Sequence, residues 1–221
     1  MPKFKQVIIC SGPTIEPIDP IRFISNRSSG RSGLKLVQKA VERGYSGIIF
    51  ITGPTCSPYY DVANPAYSVL PVETALQMKE NVFRYSDDAE VIIMAAAVSD
   101  YRVANYSQEK IKKDQEVLTL QLVKNPDILF ELGQRKRPDQ ILVGYAAETN
   151  DIFKNAQKKF IKKNLDLLVL NEISEKNPAF NVNHNQVYFL TAAGGFQIQP
   201  RMGKYELADR VWEEIEALAR K

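Results

Sequence analysis

Residues 91–102 read VIIMAAAVSDYR. The run 91–98 is apolar throughout, without the polar alternation of a half-exposed strand, so it predicts a strand covered on both faces. Strands of that kind belong to parallel sheets wrapped by helices. Its C-terminal end is made of small residues, Ala95, Ala96 and Ala97, which open a crevice where main chain can meet a ligand. In open α/β sheets, ligands lie beyond the carboxyl ends of the strands, and Asp100 falls there. It suits a ribose hydroxyl or a magnesium–phosphate group; equally, it suits a plain turn acid.

The same kind of apolar run recurs at QVIIC (6–10), IIFIT (48–52), LVGYAA (142–147) and LDLLVL (165–170). Amphipathic stretches separate these runs, the pattern of β-α-β units around a mostly parallel sheet. Leu34, Val37 and Val41 keep helical spacing, with Gly44 as a stop. Ile152, Ala156 and Phe160 share one face of 151–163 while lysines crowd the other. Asn125-Pro126-Asp127 suits an N-cap, a first-turn proline and an acid at the helix's positive end. The last fifth changes character: VYFLTA (187–192) and FQIQP (196–200) flank Gly194-Gly195, a hairpin signal. Leu207, Val211, Ile215 and Leu218 then stripe a final helix. The chain has no internal repeat.

A length of 221 residues fits one large α/β domain, 1–221, which buries enough surface to need no staples. Its net charge of +3, from 29 basic and 26 acidic residues, is too weak to imply a nucleic-acid or membrane partner. Cys10 and Cys56 form no CxxC pair, which argues against a disulfide framework or thiolate metal site. The start MPKFKQVIIC reads as a first strand rather than a signal peptide. No run reaches the roughly 18 apolar residues of a membrane span. The expected location is the cytoplasm.

Two segments stand out chemically. In SGPTIEPIDPIRFISNRSSGRSGLKLV (11–37), Pro13, Pro17, Pro20, Glu16 and Asp19 stiffen a long connection before Arg22 and Asn26. Glycines at 30 and 33 let backbone approach a ligand, and a helix N-terminus nearby offers N–H groups to an anion. An arginine, an asparagine and serines suit a phosphorylated or carboxylated ligand. An ordinary helix entry, with Asn26 capping a turn, fits the same residues. The second segment, 99–117, shows neither helix nor strand periodicity, which fits a lid or a solvated insertion. Its Lys110, Lys112 and Lys113 could close over a polyphosphate, although lysine runs are usually solvated faces. Lys158, Lys159, Lys162 and Lys163 form a second basic group. His184 reads as a surface-loop residue without a metal partner, and Cys10 as packing.

Together these segments resemble one family. GPTIEPIDPIRFISNRSSGRSG, AAAVSDYR, EKIKK, KNPDIL and VGYAAET stand in the order and spacing of the phosphopantothenate–cysteine ligases of coenzyme A synthesis, over nearly the whole chain. DVANPAYSVLPVETALQM looks like that family's linker and third strand. The resemblance implies a Rossmann-like three-layer α/β sandwich: a mostly parallel central sheet, a C-terminal β-hairpin and a flap at about 99–117. It implies that phosphopantothenate's carboxylate attacks the α-phosphate of CTP (ATP being the less favoured alternative), releasing pyrophosphate, and that cysteine's amine then displaces the nucleotide. Mg2+ is the implied cofactor. The chain begins at the ligase segment, like stand-alone members, so no flavin is implied. A homodimer is.

Residue by residue, the resemblance makes Asn26 the holder of the acyl nucleotide and Arg22 a phosphopantothenate contact beside Ser28, Ser29 and Gly30. Lys110 matches the catalytic lysine near the triphosphate. Met94, Ala95 and Ala96 match a main-chain nucleotide contact, with Asp100 next to them as a candidate magnesium contact. Pro126, Asp127, Ile128 and Leu129 match a second nucleotide-binding stretch, as do Tyr145, Lys159 and Lys163. Departures from the family pattern are Arg27 and Arg31 in SNRSSGR, Ser99, and Tyr145 where phenylalanine is common. Two rivals stand beside the ligase. One is an NAD(P)-dependent reductase, for which the chain lacks both a GxGxxG turn and an acid closing the second strand. The other is a nucleic-acid-binding protein using both lysine groups.

Overall fold

The computed structural model describes residues 4–55, 64–113, 116–175, 177–178, 182–192 and 194–220; Cys56 lies outside them. In chain order the elements are β1 (Val7–Ser11), β2 (Ile15–Pro17), β3 (Phe23–Ser25), α1 (Arg31–Glu42), β4 (Ile48–Thr52), β5 (Tyr67–Pro71), α2 (Ala75–Tyr85), β6 (Val91–Met94), β7 (Tyr101–Val103) and β8 (Leu122–Lys124). There follow α3 (Ile128–Arg135), β9 (Ile141–Glu148), α4 (Ile152–Lys162), β10 (Leu167–Glu172), β11 (His184–Asn185), β12 (Val187–Thr191), β13 (Gly194–Ile198), β14 (Met202–Gly203) and α5 (Lys204–Leu218).

Eight strands form one sheet in the order β13-β12-β10-β9-β6-β1-β4-β5. All pairs from β10 to β5 are parallel, and the hairpin β12–β13 adds two antiparallel strands at one edge. The expected three layers follow from strand alternation. Val7 and Ile9 join Phe50, Val143, Val169 and Trp212 in the core under α1 and α5. Ile8 and Cys10 join Met78, Val82, Leu132, Leu142 and Ala156 under α2, α3 and α4. Each β1 residue is buried because both of its faces are covered. Trp212, fully buried, locks α5 onto α1 by donating its indole N–H to the Leu36 carbonyl at 2.9 Å.

The sequence expectations need four corrections. The apolar run 91–98 leaves the sheet at Met94, and its alanines form an irregular ledge instead. α3 starts two residues after the proline: Asp127 is the N-cap, accepting from the Phe130 N–H at 3.1 Å, while Asn125 donates to the Ser99 carbonyl at 2.9 Å. The hairpin forms as expected, but Gly194 and Gly195 lie inside β13. The segment 99–117 is entered through a regular strand, β7, which pairs antiparallel with β8, and 11–25 holds a matching ribbon of β2 and β3. Among the described residues no helix is long and apolar enough to cross a membrane.

Candidate active site

Connections after β1 and β6 run in opposite directions along the sheet, because α1 carries the chain from β1 to β4 on one side while α3 carries it from β6 to β9 on the other. At such a switch point the strand ends cannot close over one another, and a crevice results. Here the two strand extensions run side by side: the Ala95 N–H donates to the Cys10 carbonyl at 3.0 Å, and Ala97 N–H to that of Gly12 at 2.8 Å. Over this ledge lies a cleft of about 720 Å³.

Its lining brings together most of the residues singled out in the sequence. Ser28, Ser29 and Gly30 form one wall and Met94, Ala95, Ala96 and Asp100 the ledge. Pro126, Asp127, Ile128 and Leu129 enter from the start of α3, Tyr145 from β9, and Lys159 and Lys163 from α4. Lys163 pairs with the N-cap carboxylate of Asp127 at 2.9 Å, and Lys159 with Glu148. Burial pushes the Tyr145 phenol up from its ordinary range, so it stays neutral. The helix-face spacing of the lysines thus serves the cleft, and Lys162, whose ammonium lies 5.4 Å from the Phe130 ring centre, belongs to it as well.

The two glycines of the first segment do different things. Gly30 caps α1 with φ 73°, a left-handed conformation that side chains rarely adopt. Its carbonyl accepts from the Ser11 hydroxyl at 2.8 Å, which fixes the helix start against β1. Gly33 points away from any ligand: a Cβ there would sit 2.3 Å from Ser11 Cβ. It is a packing glycine, and its expected role in ligand approach is corrected accordingly.

Arg22, Asn26 and Lys110 do not line the cleft. Asn26 borders it, donating to the carbonyl of the ledge residue Ala97 at 2.9 Å. Arg22 and Lys110 sit on the lobe built by the two ribbons. Asp19, only 3% exposed, organises that lobe. Its carboxylate accepts from the main-chain N–H groups of Ile21 (2.9 Å), Arg22 (2.8 Å) and Ile111 (3.1 Å), and from the Arg22 guanidinium. Arg22 also donates to the Ile111 carbonyl at 3.1 Å. The guanidinium holds the Asp19 carboxyl well below the usual carboxylate range, with the main-chain donors adding to it against the effect of burial. Exposed Lys110 is therefore carried next to a fixed anchor.

This architecture has relatives. A family model described as the DNA/pantothenate metabolism flavoprotein C-terminal domain matches residues 3–218. The chain belongs to this family. Among its relatives, the coenzyme A biosynthesis bifunctional protein CoaBC of Bacillus subtilis (strain 168) is 38% identical over 98% of this chain and 52% of its own length. The protein of the same name from Escherichia coli (strain K12) is 36% identical over 96% of this chain and 52% of its own. The chain thus spans about half the length of the curated relatives it matches. A crystal structure of the C-terminal domain of a CoaBC protein superposes with a TM-score of 0.81 and 31% identity, covering 99% of this chain and 97% of that one.

Within this family member, sequence reading missed part of the cleft. Asn171, Asn185, Val187 and Lys204 reach it from the C-terminal region. They are far from the motifs in sequence, and single asparagines and a single lysine carry no spacing signal. Arg31, noted only as a departure, lines it too.

Proposed function

We propose that the chain is a phosphopantothenate–cysteine ligase acting through an acyl nucleotide, with CTP as the activating nucleotide. What carries this reading is the convergence of four separated motifs on one cleft in a member of a family whose relatives bear the name coenzyme A biosynthesis protein. The phosphopantothenate carboxylate attacks the α-phosphorus of CTP, an oxygen–phosphorus bond forms as pyrophosphate leaves, and the cysteine amine then attacks the acyl carbon. The carbon–oxygen bond breaks, CMP departs, the amine loses a proton and an amide remains. A free carboxylate is a poor acyl donor; the mixed anhydride with the nucleotide's phosphate makes it a good one. What the protein adds is alignment and charge neutralisation.

Lys159, Lys162 and Lys163 supply positive charge on one side, the Met94–Ala96 ledge supplies main-chain groups, and Asn26 holds the acyl group at the rim. No group of three histidine, cysteine or acidic side chains is gathered for a metal among the described residues. Mg2+ accordingly fits as a cation held by the phosphates, with Asp100 the lining carboxylate that no ion pair occupies among the described residues. When bound, it neutralises and orients the phosphates.

A homodimer completes the proposal. Ile21 (62% exposed), Phe23 (55%) and Val117 (72%) present apolar surface on the ribbon lobe, where a second copy would cover them. Lys110, which does not line its own chain's cleft, then serves the partner's. The deciding assay mixes protein, phosphopantothenate, cysteine, Mg2+ and CTP or ATP, following pyrophosphate and product mass. Turnover that needs all three substrates and prefers CTP is expected; pyrophosphate release from neither nucleotide would end the proposal.

A further inference from the structure

On the α1/α5 side, the sheet itself supplies a floor for the cleft. Successive side chains along β9 and β10 alternate between the two cores, and Val143, Leu167 and Val169 fall to the α1/α5 side. Tyr145 packs against the same core. Val169 is its register partner on β10, and Asn171, two residues further along that strand, shares the face. Val187, opposite Asn171 on β12, and Leu207 of α5 join Val169 as buried apolar side chains in the lining.

Two polar groups stand on this floor without a protein partner. The Tyr145 hydroxyl makes no hydrogen bond with any described residue, and burial is the one cause that raises its pKa. It is a neutral O–H, able to donate and to accept. Asn171 accepts through Oδ1 from the Asn177 amide at 3.0 Å, which leaves its amino group, and that donates to no described residue. Neither atom is sealed off. Among the described residues, the sealed side-chain atoms that lack a partner are Arg43 Nε and Ser99 Oγ, so the phenol and the amino group are open to the cleft that both residues line. A tyrosine hydroxyl inside a protein ordinarily finds a partner. Phenylalanine, common at this position in the family pattern, would fill the same space, so the hydroxyl is this chain's own addition.

We propose that the Tyr145 hydroxyl and the Asn171 amino group form a neutral donor pair that reads a carbonyl oxygen on an uncharged part of a substrate. The cations lining the cleft belong to the helices on either side of the sheet: Lys159, Lys162 and Lys163 to α4 and its end, Arg31 and Lys204 to the starts of α1 and α5. Those suit phosphates. A phenol and an amide set among apolar side chains suit a neutral acceptor, which needs donors but no counter-charge. The proposal rests on the ligase reading for the identity of the substrates, two of which bring such an oxygen: CTP in the carbonyl of its cytosine ring, phosphopantothenate in its amide. Adenine has no carbonyl. If the oxygen is cytosine's, the pair also selects the base, because a site built to hydrogen-bond one group rejects an analogue that lacks it.

The test is calorimetric binding of CTP, UTP, ATP and phosphopantothenate to the full chain and to its Tyr145→Phe and Asn171→Asp variants, each checked for folding by circular dichroism. Tyr145→Phe removes one oxygen that has no protein partner. Its Tm should equal that of wild type, while affinity for the ligand carrying the carbonyl falls roughly three- to tenfold. Asn171→Asp keeps an oxygen for Asn177 but exchanges the donor for an acceptor. Its charge weakens every one of these anions, so affinity is read relative to ATP, and that ratio should fall about tenfold or more. Losses for CTP and UTP that spare ATP assign the pyrimidine carbonyl; a loss confined to phosphopantothenate assigns the amide carbonyl. Equal losses for CTP and ATP in Tyr145→Phe place the hydroxyl on ribose or phosphate and overturn the proposal. Wild-type affinities in both folded variants overturn it too, as does a lowered Tm in Tyr145→Phe, which would mark the hydroxyl as a support of the fold. A wild-type chain that binds none of the four ligands ends this proposal and the ligase reading together. One that binds them but forms no product ends the ligase reading alone, since no readout here requires turnover.

Discussion

Replacing Gly33 by alanine should separate α1 from β1 and loosen the wall of the cleft. A Cβ at residue 33 meets Ser11 Cβ and Oγ at 2.3 Å and Ser11 Cα at 3.2 Å. An ordinary carbon contact lies near 3.8 Å, so helix and strand must part by about 1.5 Å or distort. Ser11 is buried in the central strand and has no free space to yield. Overpacking of this kind costs about 1–3 kcal/mol, and at this chain length each kcal/mol lowers Tm by roughly 2–4 °C. A fall in Tm of roughly 2–12 °C by scanning calorimetry is expected. Because the Ser11 hydroxyl also ties the Gly30 carbonyl, the same shift moves Ser28 to Ser32, and CTP affinity should drop several-fold. Ser11→Gly removes the two nearest atoms, so adding it to Gly33→Ala should recover part of the lost Tm. An unchanged Tm in Gly33→Ala, or a double variant no better than the sum of the single ones, would refute the close-approach argument.

Other substitutions probe the lobe and the rim. Asp19→Asn should release the flap anchor, seen as faster amide exchange over 107–111. The folded carboxyl titrates below its unfolded value, so its stabilisation is complete above about pH 4 and fades on acidification; the Tm gap between wild type and Asp19→Asn should narrow from about pH 4 downward, and a constant gap would contradict the ion-pair account. Lys110→Gln should cut turnover severely while leaving Tm intact. Mixed with Lys159→Met subunits, it should regain roughly a quarter of native activity if each site takes Lys110 from the partner of a two-fold dimer; no recovery would place the lysine in its own chain's site. Asn26→Asp should slow product formation, by setting a negative charge beside the acyl nucleotide, and normal kinetics would remove Asn26 from the mechanism.

Much of the fold was legible because its signals are local. Continuous apolar runs gave β1, β4, β6, β9 and β10, and the striping of 151–163 and 204–218 gave α4 and α5. α2 could have been read from Thr74-Ala-Leu-Gln77, since the Thr74 side chain accepts from the Gln77 N–H at 3.2 Å and the Gln77 side chain answers in kind. The start of α3 was misplaced because Asn125 spends its amide on Ser99, a partner 26 residues away that no propensity encodes. Site residues on strand ends and helix starts were legible as motifs. Lys204 and Asn185 were not, because a single lysine and a single asparagine far from the motifs carry no spacing signal, and only the fold brings them to the cleft. Asp19 was read as a stiffening acid; its bond to Ile111 N–H, across 92 residues, makes it the anchor of the flap.

The acyl nucleotide itself is open to direct test by oxygen tracing. Phosphopantothenate labelled with ¹⁸O in both carboxylate oxygens should, after one complete turnover with CTP and cysteine, leave one labelled oxygen in CMP and one in the new amide carbonyl. CMP free of label, or label found in orthophosphate, would mean that activation does not occur at the α-phosphorus.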